Sequence, residues 1–129
     1  MKNTIVVTGG AGFVGSNLIS LLIKKTKLKI ISIDNYSSGE KKNHIRNKRV
    51  TYIKENTKNI NRILKSKKNK IKTIFHFGEF SRIYQSFTKM NDCIDSNNIG
   101  SHEVFNFCLS NKIKLIYSAT SASIGNKGN

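Results

Sequence analysis

The stretch VVTGGAGFVGSNLISLL, residues 6–22, constrains this chain more than any other. Glycines stand three apart at Gly9, Gly12 and Gly15, after a short apolar run and before Val14, Leu18, Leu21 and Leu22 at helical spacing. A strand must therefore end, turn tightly and enter a helix within a few residues. Glycine tolerates the dihedrals of such a turn and keeps side chains away from the backbone there. A helix N-terminus so exposed offers unpaired N–H groups and the positive end of the helix dipole to an anion.

The remaining segments repeat the same alternation. Ile5–Val7 reads as a strand, 13–25 as an amphipathic helix, LKIISID (28–34) as a second strand and NYSSGEKKN (35–43) as a turn-rich loop. VTYIKE (50–55) alternates like a strand, and NINRILKSKK (59–68) has helical spacing at Ile60, Ile63 and Leu64. IKTIFHF (71–77) is nearly continuous in apolar residues, as a strand buried on both faces should be. A helix over 92–110 is expected to turn Ile94, Ser101, Phe105 and Cys108 to one side, and KLIYSA (114–119) is the last strand. Strands alternating with helices predict a single α/β domain, a doubly wound Rossmann-type parallel sheet in the order 3-2-1-4-5. The final SASIGNKGN reads as a polar loop.

In that fold each glycine has a task. Gly9 permits the turn out of the first strand, Gly12 admits a pyrophosphate to the backbone, and Gly15 lets the helix pack on the sheet. The amides of Phe13 and Val14 are placed to donate to phosphate oxygens. Asp34, at the end of the second strand, is placed to accept from the adenosine ribose hydroxyls; the alternative is an ordinary turn residue. Its charge would repel a 2′-phosphate, so NAD is expected over NADP, with Lys41 and Lys42 close enough in sequence to soften the repulsion.

Composition narrows the setting. With no apolar run of about 18 residues, no membrane span is expected, and no secretion signal is recognised in MKNTIVVTGG. Cys93 and Cys108 match no metal-ligand spacing and read as reduced, partly buried thiols in a cytoplasmic protein; no metal site is expected. The formal net charge of +16 could signal nucleic acid, but the lysines are scattered, without interleaved aromatics on one face. No specific nucleic acid partner is therefore expected. His44, His76 and His102 suggest no triad, and His76, inside a buried strand, reads as packed.

TGGAGFVGSNL, IDNYSSG, HFGEFS, NNIGS and YSATSASIGN resemble, in order and spacing, the extended short-chain dehydrogenase/reductases. Among these the chain is similar to NAD-dependent nucleotide-sugar epimerases and dehydratases, UDP-glucose 4-epimerase being the nearest type. The resemblance implies an NAD cofactor, a nucleotide-sugar substrate in the complete enzyme, and possible homodimers. It assigns Asp34 and Asn35 to the adenosine, Asn56 (where the family usually has Asp) and Thr57 to the adenine side, and Phe77 and Gly78 to the cofactor's flank. Asn97 matches an asparagine of the helix before strand five, with a solvated polar residue as the alternative. Glu79 departs from the small residue common there, and a carboxylate near the pyrophosphate would be repelled. Thr120 matches the active-site Ser/Thr whose hydroxyl bonds the sugar oxygen. The family's proton mover is a tyrosine with lysine four residues on; none of Tyr36, Tyr52, Tyr84 and Tyr117 has one. The resemblance thus implies that the catalytic helix and the substrate domain lie beyond Asn129, and that the chain alone is inactive. Two alternatives stay open: a non-catalytic dinucleotide- or partner-binding module, and a basic nucleic-acid binder on the same scaffold.

Overall fold

The computed structural model describes residues 1–120 and 125. Five parallel strands form one sheet: β1 Thr4–Thr8, β2 Lys29–Asp34, β3 Val50–Lys54, β4 Ile71–His76 and β5 Lys114–Tyr117. Their order is β3-β2-β1-β4-β5, as expected. Val6 lies opposite Ile31 of β2 and Ile74 of β4.

Every residue of β1 is buried, because the central strand is covered on both faces. Alternation sends its side chains to two cores. Val6 joins Ile31, Ile33 and Ile74 beneath Ile60, Leu64, Val104 and Phe107. Ile5 and Val7 join Ile30 beneath Ile19 and Leu22 of helix α1, Phe13–Lys25. Each such side chain taken out of water contributes about 1.5–3 kcal/mol.

Helix α1 is fixed at both ends. Gly12 starts it, and Lys24 and Lys25 occupy its last turn, where cations suit the dipole. The Arg49 guanidinium then donates to the carbonyls of Ile23 at 2.7 Å and Thr26 at 2.6 Å, tying the β3 approach to the helix end.

The helix expected over 59–68 is α-helical only as α2, Ile60–Leu64, between 3₁₀ turns at Thr57–Asn59 and Lys65–Lys70. Lysines three apart in KSKKNK repel one another on a helix surface, which disfavours continuing it. Short α3, Ile83–Ser86, precedes a helical stretch longer than expected: α4 Met90–Ile94, a π turn Asp95–Gly100, and α5 Ser101–Ser110. Its buried side is Ser101, Val104, Phe107 and Cys108; Ile94 and Phe105 are exposed, against expectation. The π turn rotates Ile94 off the α5 row, and Phe105 lies one position off it, edge-on to the Tyr117 ring. Cys93 and Cys108 are free thiols, and burial pushes Cys108 up to about 11. No helix among the described residues is long and apolar enough to cross a membrane. Apart from Gly125, the SASIGNKGN loop lies outside the described residues, and with it half of the YSATSASIGN match.

Candidate functional site

The glycine turn joins β1 to α1 at the carboxyl end of the sheet. Gly9 has φ +71°, and a Cβ there would stand 2.8 Å from the Phe77 carbonyl oxygen, so only glycine fits beside β4. Its N–H donates to Ile33 O at 2.8 Å, and Gly12 N–H closes the turn on Gly9 O at 3.1 Å. A Cβ on Gly15 would meet Gly9 O at 2.2 Å, so the helix packs directly on the turn. A Cβ on Gly12 would meet Gly9 O alone, at a tight 3.3 Å, and the other sides of this glycine are open.

The N-terminus of α1 has no side-chain cap and no acid in its first turn. The leading N–H groups of a helix have no intrahelical partner, and here they point past Gly12. Phe13 and Val14 are 83% and 57% exposed, so their side chains wall the opening without filling it. A cradle of open backbone at the positive end of a 13-residue helix fits a pyrophosphate.

Asp34 ends β2 beneath this turn and is only 8% exposed. Its Oδ2 accepts from Ala11 N–H at 2.9 Å and its Oδ1 from Tyr36 N–H at 2.8 Å. Each oxygen keeps a second lone pair, so the carboxylate that staples the turn can also accept ribose hydroxyls. The Ala11 carbonyl is held too, by Glu40 N–H at 3.0 Å and the Asn43 amide at 2.8 Å. Lys42 pairs with Glu40 at 2.8 Å on the surface of the same loop. Farther out, His44 stacks on Tyr52 and bonds the Tyr36 hydroxyl at 2.8 Å, pinning the loop across β2 and β3.

Gly9, Asp34, Asn35, Thr57 and Gly78, all marked from the sequence, line one cavity, together with Glu55 and Ser96, which were not. Thr57 is buried there, and a Cβ on Gly100 would meet its Oγ1 at 2.2 Å, so the π turn closes against it. A neighbouring cavity of about 220 Å³ shares Asn35 and Ser96 and adds Asn56, Phe80 and Asp92. Hydrogen bonds from Asn59 and Arg62 hold the Glu55 carboxyl below its usual range.

Beyond β4 a polar chain runs away from these cavities. Thr8 Oγ1 accepts from Phe77 N–H at 3.1 Å and Gly78 N–H at 3.0 Å, and lies 2.7 Å from His76 Nδ1. His76 Nε2 is 2.7 Å from Ser101 Oγ, whose hydroxyl donates to Glu79 Oε1 at 2.6 Å. Since Ser101 gives its proton to the carboxylate, it accepts from Nε2–H; Nδ1 is then the acceptor for the Thr8 hydroxyl. His76 is wholly buried and neutral, its pKa lowered by burial against a smaller opposing pull from Glu79. The Tyr117 hydroxyl also donates to Glu79 Oε1, at 2.8 Å, a bond that raises the phenol's pKa. Glu79 is thus engaged toward α5 and β5, and His76 is packed, as its strand position suggested.

Beyond the glycine turn, three marked residues stand off the cavities. Asn97 clamps the backbone of Phe80, accepting its N–H and donating to its carbonyl at 2.9 Å. Thr120 lies past the end of β5 and is exposed. Phe77 packs on the α1-side core while its peptide backs Gly9. Nothing in the sequence marked Thr8, His76, Ser101 and Glu79 as one chain, because its bonded neighbours are as many as 68 residues apart.

The family model described as "NAD dependent epimerase/dehydratase family" matches residues 5–129. Among solved structures, a UDP-N-acetylglucosamine 4-epimerase from Methanobrevibacter ruminantium, in complex with UDP-N-acetylmuramic acid, is 32% identical. The match covers 100% of this chain and 42% of that one, with a TM-score of 0.83. A UDP-glucose 4-epimerase from Thermotoga maritima, solved with UDP-glucose, is 27% identical over 92% of this chain and 38% of that one, TM-score 0.80. Bordetella bronchiseptica WbmF, in complex with NAD+, shares the fold at 24% identity over 94% of this chain and 37% of that one, TM-score 0.84. The chain thus spans roughly two fifths of the length of the structures it matches.

Proposed function

The chain belongs to the NAD dependent epimerase/dehydratase family, and on that premise we propose that it is the dinucleotide-holding part of a nucleotide-sugar epimerase or dehydratase. NAD is the cofactor. The observation that carries the reading is the open backbone at Gly12 above the uncapped N-terminus of α1, with Asp34 beneath it. The amides of Phe13, Val14 and Gly15 would hold the pyrophosphate, Asp34 and Asn35 the adenosine ribose, and Thr57 and Gly78 would close the cavity floor.

Bound there, NAD supplies a hydride acceptor and donor for a carbon of a UDP- or dTDP-sugar. The chain's own contribution to that chemistry is the Thr120 hydroxyl, which would hydrogen-bond the reacting sugar oxygen. A hydroxyl of ordinary pKa does not remove the sugar's proton at neutral pH. Tyr117, four residues from Ser121 and not from a lysine, has its pKa raised and its proton committed to Glu79. These residues therefore bind and orient, and the 129-residue chain alone does not turn over the sugar.

Calorimetric titration of the wild type and Asp34→Ala with NAD and NADP tests the assignment. The wild type should favour NAD by about tenfold or more, because Asp34 would face the 2′-phosphate, and the variant should lose that preference. Equal wild-type affinities would overturn the role of Asp34. Binding of a random DNA duplex that falls steeply with salt, without NAD binding, would favour the nucleic-acid reading instead.

A further inference from the structure

The lysines lie scattered along the sequence, and the fold gathers them. In a parallel sheet each helix returns the chain from the carboxyl ends of the strands to their amino ends, so every strand starts on one face of the molecule. Register aligns those starts: Lys29 lies opposite Thr4, Thr4 opposite Ile71, and Lys114 opposite Thr73. Lys2, Lys29, Lys48, Lys70 and Lys114 are exposed and stand at or just before the starts of β1, β2, β3, β4 and β5. With about 4.8 Å between neighbouring strands, they form a row about 19 Å long. Lys24 and Lys25 end α1 on the same side, and Lys67 and Lys68 lie in the 3₁₀ turn that leads into β4.

The acids lie elsewhere. The chain has seven, and none is at a strand start. Asp34 ends β2, Glu55 follows β3 and Glu79 follows β4, while Glu40 bonds the glycine turn at Ala11. Asp92 and Asp95 line the cavity beside Asn35, and Glu103 is in the first turn of α5. The lysine and arginine ion pairs among the described residues are Lys42–Glu40, Lys58–Asp95 and Arg62–Glu55, so no carboxylate there pairs with the row. A compositional bias raises the number of lysines, but it does not sort bases from acids.

We infer that the amino-end face of the sheet binds the phosphate backbone of duplex nucleic acid without reading its sequence. Evenly spaced cations on a rigid sheet suit a rod of regular charge, which a DNA duplex carries at about one per 1.7 Å of its axis. The segments leading into the strands contain no aromatic residue, so the stacking that holds single-stranded bases is lacking. A membrane surface would need an apolar face to bury, whereas Ile71 and Ile113 are buried and Leu28 packs on the α1-side core. The row lies a strand length, about 17 Å, from the glycine turn. That exceeds the screening distance of about 10 Å at about 0.1 M salt, so duplex and dinucleotide do not compete.

The test is fluorescence anisotropy of a short labelled duplex of random sequence, titrated with the 129-residue chain over a range of salt concentrations. One triple variant, Lys29→Gln, Lys70→Gln and Lys114→Gln, removes charge from the row. Another, Lys54→Gln, Arg82→Gln and Lys89→Gln, removes as much from exposed positions on the other side. Wild-type affinity should fall steeply with salt, and the row variant should flatten the slope of log K against log salt by about three. At about 0.1 M salt the row variant should bind about tenfold or more weaker, and the control variant within about twofold of wild type. Saturating NAD should leave duplex affinity unchanged. Equal losses in the two variants would reveal general attraction to a basic chain and overturn the proposal. Displacement of the duplex by NAD would overturn it too, by moving the contact to the glycine turn. So would absence of duplex binding, whether or not the chain cosediments with vesicles of phosphatidylcholine and phosphatidylserine in equal parts.

Discussion

At the scale of single residues, the polar side chains of this chain serve the backbone first. Asp34, Thr8 and Asn97 each spend hydrogen bonds on main-chain groups. His76, bonded to the side chains of Thr8 and Ser101, has a consequence in pH. Its folded pKa lies below the unfolded value because burial disfavours the imidazolium. The unfolded chain thus binds more protons than the folded one as pH falls through about 6.5, and stability falls with it. Above that pH the contribution is fully present. Urea denaturation at about pH 7.5 and about pH 5.5 should show the wild type losing stability at the lower value. His76→Gln should be weaker throughout, by about 1–3 kcal/mol for the broken chain to Thr8 and Ser101, yet change less between the two conditions. An equal pH response in both proteins would contradict the buried neutral imidazole.

At the scale of elements, two glycines three residues apart have opposite duties. Alanine at Gly15 would drive a methyl within 2.2 Å of Gly9 O and push α1 off the turn. Overpacking of this kind costs about 1–3 kcal/mol, more than the roughly 1 kcal/mol that alanine gains over glycine in a helix. Gly15→Ala should therefore lower Tm, by about 4 °C per kcal/mol for a domain near this size. Gly12 is extended, with φ −82° and ψ 177°, and a methyl there meets only Gly9 O at 3.3 Å. Gly12→Ala should lower Tm by less than Gly15→Ala does and weaken NAD binding, as scanning calorimetry and titration together would register.

Sequence made the order of elements legible because apolar runs and helical spacing report burial directly. It also located the glycine turn, whose dihedrals and close approach demand that residue type. The π turn at Asp95–Gly100 left no mark, since one changed hydrogen-bond step barely disturbs an apolar period; hence Ile94 and Phe105 were assigned to the wrong side. Nor could the pattern reveal that Glu79 swings to Ser101 and Tyr117, because partners 22 and 38 residues away share no local period. The hydrogen bond that joins Asn35 to Asn56, 21 residues apart, was visible only in the structure.

At the scale of the whole molecule, the sheet ends in β5, which pairs with β4 on one side alone among the described residues. Ile116 and Tyr117 on that strand are 37% and 41% exposed, and Leu109 nearby in α5 is 79% exposed. Unpaired strand edges with apolar side chains recruit other chains. Sedimentation velocity should show concentration-dependent association of this chain, reduced by Ile116→Lys; a monomer at every concentration would refute it. The glycine turn at the middle of the sheet behaves differently. There the Ala11 peptide is gripped on both sides, its N–H by Asp34 and its carbonyl by Glu40 and Asn43. The glycine turn proposed to hold the pyrophosphate is consequently assembled when the chain folds and not when a ligand arrives. Ordering entropy that a floppy loop would surrender on each encounter has already been lost, so capture should be governed by diffusion and charge in one kinetic phase, with no slow loop-closing step behind it.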